Sequence, residues 1–145
     1  MNMKRVLVIA LVLIAAAVAA SAQSVYTPDK GSPERKAILD SLRVPVERAM
    51  KQKIVFVADK FNVQGTWAFV GGSMQTPSGD QPDLSGTEFA EAAKEGFYDS
   101  NFFGLVRKTG GKWRVVKHAI GCTDVCYAEW WKEARAPKAI FDITY

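Results

Sequence analysis

SPERKAILDSLRVPVERAM, residues 32–50, runs into IVFVADKFNVQGTWAFV, residues 54–70, and the change of period between the two decides the fold. In the first stretch Ile38, Leu42, Val46 and Ala49/Met50 recur every three or four residues, which draws one apolar helix face. Ser32 caps that helix, Pro33 takes its first position and Glu34 follows, all favourable at a helix start. Lys36/Asp40 and Arg43/Glu47/Lys51 place opposite charges four residues apart on the other side. Pro45 lacks a backbone donor and crowds the preceding turn, so a kink or restart is expected near Val44. In the second stretch Ile54–Ala58, Phe61 and Val63 form a β-branched and aromatic run. Gln64-Gly65 turns it, and Thr66–Val70 returns as a second strand.

Outward from this core, residues 76–86 are rich in Pro, Gly, Ser and Asp and read as a surface loop. Ser85 with Glu88 has the form of a capping box, and Phe89, Ala92/Ala93 and Gly96 complete a short second helix. Phe102–Lys108 and Lys112–Ile120 form a second hairpin about Gly110-Gly111. A last helix is expected over 123–135, ending before Pro137, with a short terminal strand over 139–143. The fold class is therefore α+β: a kinked N-terminal helix packed on a curved antiparallel sheet of two hairpins, with short second and C-terminal helices.

The helix around Arg35-Lys36-Ala37-Ile38-Leu39, the strand Trp67-Ala68-Phe69-Val70 and the hairpin Gly110-Gly111-Lys112-Trp113-Arg114-Val115-Val116 resemble the cystatin-like/NTF2-like superfamily of α+β rolls. The order of elements also resembles a group of exported proteobacterial proteins. The resemblance covers roughly residues 33–120 and implies a helix on the concave face of the sheet. Such rolls host enzymes, ligand carriers and inhibitors alike, so it leaves the role open.

Residues 1–22 read as a secretory signal: Lys4-Arg5, an uncharged run from Val6 to Ala20, and Ala20-Ser21-Ala22 as the cleavage site. Cleavage would make Gln23 the first mature residue, with 23–31 a flexible leader and 32–145 a single domain. The alternative is an uncleaved anchor. The apolar run would rise about 22 Å as a helix, short of the roughly 30 Å hydrocarbon core. No Cys follows that run to accept a lipid, and the pattern is that of a bacterial export signal. A periplasmic or secreted protein is implied, touching the membrane only during export.

Removing Lys4 and Arg5 lowers the net charge from +4 to +2, which weakens any nucleic-acid role. The remaining charge is uneven. Residues 80–99 carry six acids and only Lys94, whereas 107–117 carry Arg107, Lys108, Lys112, Arg114 and Lys117 without an acid. Two solvated faces are one reading; a basic hairpin that receives an anionic ligand or partner is the sharper one. Cys122 and Cys126 are the only cysteines, and an even count in an exported chain favours a disulfide stapling the turn 121–126.

His118 is the only histidine. Together with Cys122 and Cys126 it offers one imidazole and two thiolates to a soft metal such as Cu(I), in a spacing that resembles Sco-type copper proteins, although the α+β order does not. A two-residue Gly110-Gly111 loop would pair Arg107 with Arg114, Leu105 with Val116 and Phe103 with His118. Arg107, Arg114 and His118 are then candidate ligand-binding residues for a small anion. Trp130 and Trp131, adjacent on a helix, cannot both face one core, so one is a candidate partner surface. No nucleophile motif, Gly-rich phosphate loop or metal-protease signature appears, Asp59, Asp99 and Asp124 are scattered, and no catalytic residue or cofactor is implied. The expectation is a small exported binding module for an unknown protein or small anionic ligand. A ligand-binding or enzymatic roll with a pocket between helix and sheet is the alternative, and copper handling the third.

Overall fold

The computed structural model describes residues 23–143, so the export signal expected over 1–22 lies outside the described residues. Helix α1 spans Pro33–Met50, and Ser32 Oγ accepts the Arg35 N–H at 3.2 Å as its N-cap. The expected apolar face is the buried one: Ile38, Leu42, Val46 and Met50. The helix runs through Pro45 without a restart. Leu42 and Val46, fully buried to either side, hold the turn together although Pro45 contributes no hydrogen bond.

Strands β1 (Val55–Gln64), β2 (Trp67–Gln75), β3 (Asn101–Thr109) and β4 (Lys112–Ile120) form one open antiparallel sheet in the order β1-β2-β3-β4. Bulges interrupt the register at Asp59, between Ala58 and Lys60, and in β4 opposite the step from Leu105 to Val106. Alternation along the strands feeds two cores. Phe61, Val63, Ala68, Val70, Met74, Phe102 and Val106 pack with the α1 face. Trp67, Phe69 and Leu105 pack on the opposite face with Tyr127, Trp130, Ile140 and Phe141 from the C-terminal segment. The protein is α+β, with α1 on one side of the sheet and the C-terminal segment on the other.

The short elements differ from expectation. Ser85 and Glu88 form no capping box, because the Asp83 carboxylate takes both the Ser85 N–H (2.9 Å) and its hydroxyl (2.7 Å). Helix α2 starts later, at Ala90–Lys94, after Thr87 Oγ1 accepts the Phe89 N–H at 3.2 Å. Helix α3 is only Trp130–Ala134, since the disulfide turn occupies the segment where it was expected to begin. Residues 138–141 form a 3-10 turn in place of a terminal strand, which drives Ile140 and Phe141 into the second core. The segment 23–31, expected as a flexible leader, is tied to β1: Tyr26 exchanges backbone hydrogen bonds of 2.9 and 2.8 Å with Val63.

Glu47 fixes the exit from α1. Its carboxylate accepts the Ile54 N–H and the Lys53 ammonium, each at 3.1 Å. Burial pushes the Glu47 carboxyl up, but these two donors and the Arg43 guanidinium outweigh it and hold the group below its ordinary value.

Candidate functional site

Gly110 and Gly111 both have left-handed backbones, φ 57° and 76°, as a two-residue type I′-like hairpin turn demands. Thr109 consequently pairs with Lys112, and Arg107 faces Arg114 directly across the hairpin. Past that point the register departs from expectation. The bulge pairs Leu105 with Lys117 and Gly104 with His118, not Leu105 with Val116 and Phe103 with His118. A single extra residue moves His118 to the other face of the sheet, away from the two arginines.

Aromatic platforms carry two of the hairpin cations. The Arg107 guanidinium lies 4.9 Å from the centre of the Trp67 ring, and the Lys108 ammonium 5.8 Å from that of Trp113. Trp67 is 9% exposed and anchored in the second core, so Arg107 rests on a fixed base. Lys117 pairs with Glu133. Arg107, Lys108, Lys112 and Arg114 are all exposed, and among the described residues none has a carboxylate within ion-pair distance. The tip of this hairpin is thus a compact, uncompensated positive surface built on indole rings. The Trp67 platform escapes sequence reading because it depends on how β3 lies against β2, whereas the two-residue Gly110-Gly111 turn that pairs Arg107 with Arg114 also pairs Lys108 with Trp113.

His118 instead lines an open cleft of about 430 Å³ between the edge of the sheet and α1, with Pro45, Arg48, Ala49, Lys51 and Glu88. Arg48 and Lys51 were not expected there; their exposure at the end of a helix is the signal that was available. Asp59 lies on the opposite edge of the sheet, in a cleft of about 560 Å³ lined also by Arg35, Lys60, Asn62 and Asp142. His118 and Asp59 therefore do not converge, and the acid that shares the His118 cleft is Glu88. Between α1 and the sheet the space is occupied by Leu42, Val46, Phe61, Val70, Phe102 and Val106, with Phe56 and Trp113 packed against them.

Cys122 and Cys126 form a disulfide, with Cα atoms 6.1 Å apart. Asn101 clasps the same turn: its side-chain amide donates to the Cys122 carbonyl at 2.7 Å and its oxygen accepts the Cys122 N–H at 2.9 Å. No group of three His, Cys, Asp or Glu among the described residues is placed to hold a metal ion. Trp130, 8% exposed, belongs to the second core and offers no surface. Trp131 is half-buried, and the Lys132 and Lys138 ammoniums lie 5.3 and 5.2 Å from its ring centre. No helix among the described residues is long and apolar enough to cross a membrane. No protein-family model, curated protein or solved structure matches this chain.

Proposed function

We propose that this chain acts outside the cytoplasm, in the periplasm or after secretion, as a non-enzymatic binding module for a carboxylate-rich protein or small anionic ligand. The observation that carries the reading is the facing pair Arg107 and Arg114, held across a two-residue turn with no carboxylate within ion-pair distance among the described residues. Like charges directly opposite on a sheet destabilise it, and an arriving anion relieves that cost. Arginine forks suit carboxylates and phosphates. The Cys122–Cys126 disulfide fits an oxidising compartment. The interior between α1 and the sheet is filled by Leu42, Phe61 and Phe102, so a ligand-binding or enzymatic roll would have to use the open cleft at the β4 edge, where His118, Arg48 and Glu88 meet.

Polyglutamate supplies the test, with intrinsic tryptophan fluorescence as the readout because Trp67 and Trp113 underlie the cations. The full chain is expected to bind it, more weakly as salt rises. The double variant Arg107→Ala/Arg114→Ala loses at least about tenfold in affinity, as expected for two charge-assisted contacts. Trp131→Ala, away from the hairpin tip, leaves binding unchanged. Binding that survives the double variant, or no binding at all, overturns the reading.

A further inference from the structure

We infer that the outer edge of β4 receives an extended acidic segment of a partner protein, which joins the sheet as an added strand. The inference rests on the binding reading above and specifies how the partner is held.

Of the two edges of this sheet, only the β1 edge meets a backbone partner among the described residues, and there at Val63 alone. On the β1 edge, Tyr26 occupies Val63 through backbone bonds of 2.9 and 2.8 Å, and the Asn62 amide reaches the Ile140 carbonyl at 2.8 Å. On the β4 edge, the nine residues Lys112–Ile120 end the strand order. Among the described residues their outward N–H and C=O groups bond to nothing, since the strand's ladder runs only to β3. A long open edge is a template for pairing with another chain.

The side chains on that edge select what pairs. Lys112, Arg114 and His118 are exposed along it, and Lys117 stands at the bulge. A second copy of β4 laid alongside would set cations against cations, which rejects self-pairing. An acidic strand meets the opposite situation. Its carboxylates would face Arg114 and Lys112 on one side of the sheet. On the other side Trp113 and Val115, half-buried against the α1 core, offer contact to apolar side chains. Because strand side chains alternate, the fitting sequence alternates acidic and apolar residues. The positive lining continues past the strand's end, where exposed Arg48, Lys51 and His118 border the cleft and Glu88 is the one acid.

A peptide alternating glutamate with valine is the probe, beside a control in which two adjacent central residues are proline. Adjacent strand residues point their N–H groups to opposite edges, so the pair of prolines blocks both edges, and the one glutamate it replaces is restored at the control's end so that the charge is equal. The full chain is expected to bind the parent peptide at least about tenfold more tightly than the control. Hydrogen exchange should slow at β4 amides and not at those of β1. Arg114→Glu should shift preference to the matching lysine–valine peptide. Equal binding of parent and control overturns strand addition while leaving charge recognition standing. Failure of both peptides and of polyglutamate overturns both readings. A dimer joined β4 to β4, seen by sedimentation with protection of the same amides in the absence of peptide, also overturns the proposal, because the edge would then serve a second copy.

Discussion

A Cβ on Gly104 would lie 2.2 Å from Leu42 Cδ2 and 2.8 Å from Cδ1, so the branched end of Leu42 sits where any other residue in β3 would project. This contact seats α1 on the centre of the sheet. Gly104→Ala is expected to destabilise the protein by about 1–3 kcal/mol, because an extra methyl in a packed core forces neighbours off their rotamers. Leu42→Ala costs about 2–5 kcal/mol when made alone. Combined, the two should cost clearly less than their sum, and urea unfolding of the four proteins in a double-mutant cycle measures the difference.

Phe69 occupies the corresponding place beneath the sheet, with ring centres of Phe141 and Tyr127 at 4.7 and 4.8 Å. Phe141→Ala, at a fully buried position, should cost about 3–5 kcal/mol and detach the 138–141 turn. Near-ultraviolet circular dichroism should lose aromatic signal while the helix content of α1 persists.

The facing pair Arg107 and Arg114 is expected to trade stability for binding. Arg114→Glu replaces a repulsive cross-strand pair with an attractive one and should stabilise the hairpin by about 0.2–1 kcal/mol. The melting temperature should rise at low salt and the gain shrink as salt is added, while polyglutamate binding is lost.

Acid should loosen the junction of α1 and β1 through Glu47. Its folded-state carboxyl is held below the ordinary value of 4.5, so the stabilisation is complete above that value and is lost as pH falls through the folded one. Glu47→Gln should therefore lower stability at neutral pH and flatten the fall in melting temperature below about pH 4.5. Thermal melts of both proteins across pH 3 to 7, roughly the carboxylate range, check this.

The small ring closed by Cys122–Cys126 should add little to global stability, about 2 kcal/mol by loop entropy, and Asn101 holds the same turn independently. Reduction alone should leave the sheet folded. Reduction combined with Asn101→Ala should release the turn, which exchange at the Cys122 amide would report.

Much of this architecture is local and so could be read along the chain. Ser32, Pro33 and the Ile38–Met50 spacing define α1 because capping and period act within one element. Gly110-Gly111 specifies the second hairpin because only glycine takes two successive left-handed positions without strain, and that was enough to set Arg107 opposite Arg114. The Cys122–Cys126 bond likewise followed from two cysteines close together in a chain whose first residues read as an export signal.

Everything that depended on which neighbour claims a group lay beyond such reading. The bulge in β4 turned His118 from the arginine face to the α1 face, and no single strand announces where its partner skips a residue. Asp83 took the Ser85 hydroxyl and displaced the expected cap. Phe69 and Leu105 needed cover beneath the sheet, which pulled Ile140 and Phe141 into a 3-10 turn and left Trp130 inside. Local propensity is worth tenths of a kcal/mol per residue, whereas burying one such aromatic ring is worth about 1.5–3 kcal/mol, so the cores outweighed the local signals. Helix and hairpins were therefore written in the order of residues; the Trp67 platform beneath Arg107, the place of His118 and the open β4 edge arose only when the strands met.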